Sequence, residues 1–270
     1  VREEWIKARF VLSPMSQVQL RAAIELPAAK RVLYFEPHSL VDQLVEDVAQ
    51  TPGALPLLSF TLSELYLRYL ARNSNNRALS ATDYVSLGGV TGALTRRATQ
   101  EYTALVATDA AYEKTIKHVM LRMIAVEGGD LARRRVPLSE LVYADRAENE
   151  RVERFLDAMV AARLVVRGKE AEQEAYIEPA HDALVRGWDK LLYWKNQEQE
   201  LLVLQRKLMS QARDWWAALK GNTPKRASGF LWNNNPRLDI FKNAISVDKN
   251  WLNQLERQFV EKSIARQRQL

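Results

Sequence analysis

Three histidines, His38, His118 and His181, are the side chains of this chain best suited to move a proton or hold a metal near neutral pH. They are scattered along the sequence. The 270 residues contain no cysteine, which removes disulfides, thiolate ligands and thiol nucleophiles. No stretch reads as a metal site, and no nucleophile and base recur at a spacing that would make them partners, so no catalytic residue is expected. Gly88-Gly-Val-Thr-Gly92 invites a phosphate-cradle reading, but the Gly-Lys-Ser/Thr ending of a P-loop is missing. A turn followed by a helix start is the ordinary alternative.

His181 has the most informative setting. It lies within Tyr176 to Trp188, where a short extended run turns at Pro179 and enters a helical pattern that is expected to continue through Trp188, Leu191 and Trp194 to about Lys220. A ring fixed where a strand becomes a helix can sense a ligand, or can be a satisfied cap at a domain corner.

The elements that must position this corner follow from periodicity and breakers. Arg9 to Leu12 reads as a strand. Gln17 to Ile24 reads as a helix stopped by Pro27, with Ser16 before it. Leu40 to Ala49 carries one apolar stripe behind Ser39, and a third helix is expected from about Leu57 to Arg72 after the break at Pro52 to Pro56. Asn73 to Asn76 is a polar loop. Helices are expected near Ala93 to Leu105, Asp109 to Val126, Glu150 to Ala162 and Trp251 to Arg268, with Arg133 to Leu138 extended. Leu164 to Arg167 and Tyr176-Ile177 read as two strands around a polar turn. Helix, helix and hairpin in that order suggest a winged helix. The fold class is therefore mainly α: a helical subdomain, a winged-helix domain with a small β-hairpin, and a C-terminal helical extension ending in a hydrophilic Arg266-Gln-Arg-Gln connector.

A winged helix raises the question of DNA. The helix before the hairpin mixes Arg151 and Arg154 with Glu148, Glu150, Glu153 and Asp157, and the hairpin turn sets Glu170, Glu172 and Glu174 against Lys169. Phosphates would repel such a wing, so nucleic acid is not the expected partner. The net charge of +6 resides in the tail, where residues 203–270 hold 13 Lys/Arg against 5 Asp/Glu. On a helical extension these charges read as a solvated face, and Arg186 and Arg133 to Arg135 read as solvated or ion-paired. No apolar run approaches the ~20 residues of a membrane span and no leader opens the chain, giving a cytoplasmic reading. The start at Val1 without methionine suggests a piece of a longer protein.

Leu12-Ser-Pro-Met-Ser16 with Leu20-Arg-Ala-Ala-Ile24, Phe35-Glu-Pro37, Pro52-Gly-Ala-Leu-Pro-Leu-Leu58, Gly88 to Leu94, Ala180 to Trp188 and Asn250 to Glu256 follow one another in an order that, taken together, resembles the STAND signalling NTPases, in particular the bacterial novel STAND NTPase 1 group, often fused to WD40 repeats. The resemblance implies residues 1–12 as the end of a P-loop NTPase core, 13–90 as the helical subdomain, 91–185 as the winged helix and 186–270 as an extension toward C-terminal repeats such as WD40. It implies ADP or ATP as cofactor, with Mg²⁺ in the parent protein, held mainly by the upstream core. It also implies homo-oligomers on activation, with no membrane partner. Pro56, with Leu55 beside it, would face the adenine, and His181 would reach the β-phosphate of ADP. Many relatives have Gly-x-Pro where this chain has Gly53-Ala-Leu-Pro56, which puts the base contact in more doubt than the histidine. No Walker A motif and no strand ending in paired acids occurs, so hydrolysis is not expected of these residues alone. The alternatives are a winged-helix DNA-binding regulator and a passive helical scaffold, in which Pro56 is simply a first-turn proline.

Overall fold

The computed structural model describes residues 15–49, 54–73, 75–127, 130–170, 174–221, 224–233 and 235–268. The strand expected at Arg9 to Leu12, Gly53 and the Glu172 tip of the hairpin lie outside them. The fold is mainly helical, with small β-elements, and divides into two compact units, residues 1–96 and 97–270.

In the first unit, helix α1 (Gln17–Lys30) starts in a capping box between Ser16 and Gln19 and buries Leu20, Ile24 and Ala28. Pro27 does not end it. The ring lies on the exposed side, and the helix closes only at Lys30, where the N–H groups of Arg31 and Leu33 donate to the Ala28 carbonyl and that of Val32 to the Ala29 carbonyl. Strand β1 (Tyr34–Glu36) leads to α2 (Leu40–Ala49), whose Leu40, Val41, Leu44, Val45 and Val48 form the expected buried stripe. Helix α3 (Leu55–Arg72) follows and ends on left-handed Asn73. Periodicity gave no sign of the next two elements. β2 (Ala78–Ser80) pairs in parallel with β1, and Ser80 caps α4 (Ala81–Leu87). Three-residue strands are too short to show alternation. Gly88 and Gly89 take positive φ (82° and 71°) between α4 and α5 (Gly89–Thr108), so the glycine-rich stretch is a helix stop and a helix start.

The second unit contains α6 (Tyr112–Arg122), the hairpin β3 (Ile124–Glu127) and β4 (Asp130–Arg133), and β5 (Val136–Pro137). The helix expected to reach Val126 stops at Arg122 because residues 124–127 pair antiparallel with 130–133. A 3₁₀ turn (Leu138–Leu141), α7 (Arg146–Ala161), β6 (Val165–Gly168) and β7 (Tyr176–Pro179) complete a three-stranded antiparallel sheet of order β5-β7-β6. Val136 and Ile177 face each other at its centre, both fully buried, and Phe155, Leu156 and Met159 of α7 add to the same core.

Beyond the sheet the long helix expected from His181 is two helices, α8 (Asp182–Gly187) and α9 (Asp189–Lys220). Trp188 breaks the run. Its ring is 2 % exposed, packs edge-on to Trp194 at 5.7 Å, and donates its Nε1–H to Thr99 Oγ1 at 3.1 Å, which fixes an extended backbone at that residue. Helices α10 (Pro224–Phe230) and α11 (Arg237–Val247) follow, neither of them marked by periodicity in the sequence. The last helix, α12 (Gln254–Gln267), takes in Arg266, part of the expected connector. Trp215, Trp232, Phe241, Trp251 and Phe259 make an aromatic core for this layer, with Trp232 against Phe259 at 5.4 Å. Among the described residues no helix is long and apolar enough to cross a membrane.

Candidate functional site

His181 is the N-cap of α8. Its backbone is extended (φ −146°, ψ 144°), continuing β7, and its Nδ1 accepts a hydrogen bond from the Ala183 N–H at 3.0 Å. An acceptor Nδ1 places the proton of a neutral imidazole on Nε2, so the free edge of the ring is a donor. The ring is half-buried, and the cap bond fixes where the donor points.

The corner around it is held from β4. The N–H of Arg133 donates to Asp182 Oδ1 at 3.1 Å, and its guanidinium donates to the carbonyls of Pro179 and Ala180 at 3.3 and 3.2 Å. From the other side, Arg186 Nε donates to the Leu131 carbonyl at 2.8 Å. The Ala180 N–H donates to the Leu164 carbonyl. The residues on both sides of His181 are thus tied to two neighbouring chain segments, and the imidazole sits on a braced turn. Arg133 and Arg186 had no assigned role in the sequence, because their partners are mostly backbone carbonyls some 46 to 55 residues away, which no local pattern exposes.

Leu55 and Pro56 open α3, with Pro56 in the first turn, where its missing N–H costs nothing. The next two residues, Leu57 and Leu58, are buried at 3 % and 4 %, whereas Leu55 is 45 % exposed and Pro56 is exposed. The helix start therefore presents a short apolar ledge to solvent. It belongs to the first unit and His181 to the second, so the two parts of the expected site are built independently. Both fit a nucleotide chemically: an apolar ledge suits a flat base, and an oriented N–H suits a phosphate oxygen.

The other histidines have different surroundings. His38 is exposed near Glu25. His118 is buried, with Nε2 3.2 Å from Asp248 and Nδ1 3.8 Å from Glu148, ion-pair distances without well-aligned hydrogen bonds. Burial pushes this imidazole toward the neutral form, but the two carboxylates outweigh it and raise its pKa. Asp248 is correspondingly pulled down to about 2, against the opposing effect of its own burial. The two carboxylates favour the protonated form of this buried ring. Among the described residues no group of three or more His, Asp or Glu side chains is arranged to hold a metal ion.

Glu170, Glu174 and Glu178 of the hairpin are paired locally. Arg135 meets Glu170 at 2.5 Å and Glu178 at 3.5 Å, its guanidinium lies 4.2 Å from the Tyr176 ring centroid, and the Ser139 N–H donates to Glu174.

Comparison with known families matches residues 1–222 to the family described as Novel STAND NTPase 1. Comparisons with curated proteins and with solved structures gave no match.

Proposed function

This chain belongs to the novel STAND NTPase 1 family, and from that premise we propose that it is the regulatory lid of an ADP/ATP-dependent signalling switch. In this reading residues 13–90 are the helical subdomain and 91–185 a winged helix whose wing is the β6–β7 hairpin. Residues 186–270 lead toward a C-terminal repeat domain such as WD40, and a P-loop core lies upstream. The succession α6, β5, α7, β6, β7 supports the winged-helix assignment. The paired glutamates on the wing weigh against a nucleic-acid partner.

The observation that carries the proposal is the divided use of the His181 ring. Nδ1 serves the α8 cap, which leaves Nε2–H as a donor aimed by a braced corner. ADP, when bound, supplies a flat base and acceptor oxygens on its β-phosphate. Leu55 and Pro56 would then face the base, and His181 Nε2–H would donate to a phosphate oxygen and so hold the lid closed. ATP in place of ADP favours the open arrangement, in which the repeats and an effector are released to assemble homo-oligomers. The switch is a two-state equilibrium biased by contacts made in only one state. Hydrolysis belongs to the P-loop core.

His181→Asp in the full-length protein tests this. Aspartate keeps an N-cap acceptor for the Ala183 N–H, so the fold is expected to hold, but it has no donor and repels phosphate. Losing a hydrogen bond to a charged group costs about 1.5–3 kcal/mol, so ADP retention through gel filtration should fall by roughly ten-fold or more. Full ADP retention by His181→Asp, at unchanged melting temperature, would sink the proposal.

A further inference from the structure

The first unit contains a cavity that the nucleotide reading does not use. It has a volume of about 270 Å³ and lies between the C-terminal half of α1, the β1–β2 pair and the middle of α3. Ile24, Leu33, Phe35 and Leu79 are buried against it, and Leu62 and Tyr66 close the α3 side. Arg31, exposed at the end of α1, is the one charged residue in the lining. We propose that this cavity is a binding site for a small organic acid: an apolar body of one or two rings, or a medium acyl chain, bearing one carboxylate.

Size and charge each limit the ligand. An apolar cavity of ~150 Å³ takes a benzene ring, so 270 Å³ leaves room for two fused rings. It lies at the lower edge of the ~300–1,000 Å³ of drug-sized sites, which suits a small ligand. The lining holds a guanidinium and no carboxylate, so an anion finds a partner there and a cation does not. Ala23 and Pro27, both exposed on α1, form part of the rim of the cavity and add no charge to it.

The site is also preformed. The Arg31, Val32 and Leu33 N–H groups close the α1 terminus onto the Ala28 and Ala29 carbonyls, with Val32 at φ 57°, and the three-residue β1–β2 register fixes Phe35 beside Leu79. Little ordering remains to be done on binding, which favours affinity for a small ligand. All of these residues belong to the first unit, so the proposal stands or falls independently of His181 and the nucleotide.

The test uses the whole chain and four probes: 2-naphthoate and octanoate, with 2-naphthalenemethanol and octanol as neutral counterparts, followed by ligand-observed NMR and calorimetry. Saturable one-to-one binding of at least one acid is expected, tighter than that of its alcohol. Arg31→Gln, an exposed change, should weaken the acid about ten-fold and leave the alcohol within about two-fold. Ala23→Phe, at an exposed helical position whose longer side chain fills the space, should remove binding of both while the melting temperature holds. The proposal is overturned if neither acid saturates, or if acid affinity is unchanged in either variant.

Discussion

At the scale of single residues, the most instructive group is His118. Its ring faces Glu148 from α7 and Asp248 from the end of α11. Lys114 and Arg151 pair with those carboxylates, and the Tyr143 ring lies 6.5 Å away. A folded-state pKa raised above the ordinary histidine value stabilises the fold fully below about 6.5, and that stability is lost as pH rises through the raised pKa. Urea denaturation across pH 6 to 9 should therefore show a fall in stability toward alkaline pH that His118→Gln flattens; equal slopes in both proteins would contradict the assignment. At the acid end the sign reverses. Asp248, held at about 2, contributes stability above the ordinary carboxylate value that disappears as pH falls toward 2. Asp248→Asn should remove part of the acid sensitivity between pH 4 and 2, measured by the same denaturation.

At the scale of elements, the hairpin and the corner depend on close approach rather than propensity. Gly168 pairs with Tyr176, and a Cβ there would sit 2.5 Å from the Tyr176 ring. Gly168→Ala must push that ring off Arg135. The expected destabilisation is about 1–3 kcal/mol, seen as a lower urea midpoint, and Tyr176→Leu in the same chain should recover part of it. The brace from β4 to α8 makes a separate prediction. Arg133→Ala removes the guanidinium bonds to the Pro179 and Ala180 carbonyls while keeping the backbone bond to Asp182. Hydrogen exchange at Ala183 should speed up by roughly ten-fold if those bonds are worth about 1–1.5 kcal/mol together, whereas unchanged exchange would mean that the corner is held by packing alone.

At the scale of the whole molecule, the family match ends at residue 222, but the second unit does not end there. Arg122, at the close of α6, is 2 % exposed and makes a bidentate pair with Glu256 of α12 at 2.6 and 3.1 Å. Asn253 completes the capping box of α12 and donates to the Glu140 carbonyl at 3.0 Å, and the Glu140 side chain is held by Arg134 and Arg213. Arg206, half-buried and pushed down to about 10 by burial and by Arg134 nearby, donates to the carbonyls of Leu121 and Arg122 at the end of α6 and of Ile124 at the start of β3. Stopping the chain at residue 222 would strand Arg122 as a buried charge without its carboxylate, at a cost of about 3–5 kcal/mol, before the loss of the aromatic layer is counted. Such a truncation should leave the second unit unfolded or strongly destabilised by fluorescence of Trp188 and Trp194, and Arg122→Leu in the truncated chain should recover part of the loss. A truncated chain as stable as the full one would show that residues 224–268 are a passive appendage.

The sequence by itself determined the helical character, the α2 stripe, α3 and its end at Arg72, α7 and the two strands of the hairpin, because each of these is written in local periodicity and breakers. It also placed His181 where a strand turns into a helix, and the ordered motifs from Leu20 to Trp188 pointed to the family that the match bears out. Tertiary structure decided the rest. Pro27 stays inside a helix because its ring has solvent to face, and Trp188 breaks a helical pattern because burying an indole with a satisfied N–H outweighs continuing the turn. The β3–β4 and β1–β2 pairs are too short for alternation to register, so only the partner strand defines them. Which nitrogen of His181 is free follows from one bond to the Ala183 N–H, and the raised pKa of His118 from two carboxylates 30 and 130 residues away. Those are contacts in space, and a sequence pattern carries no information about them.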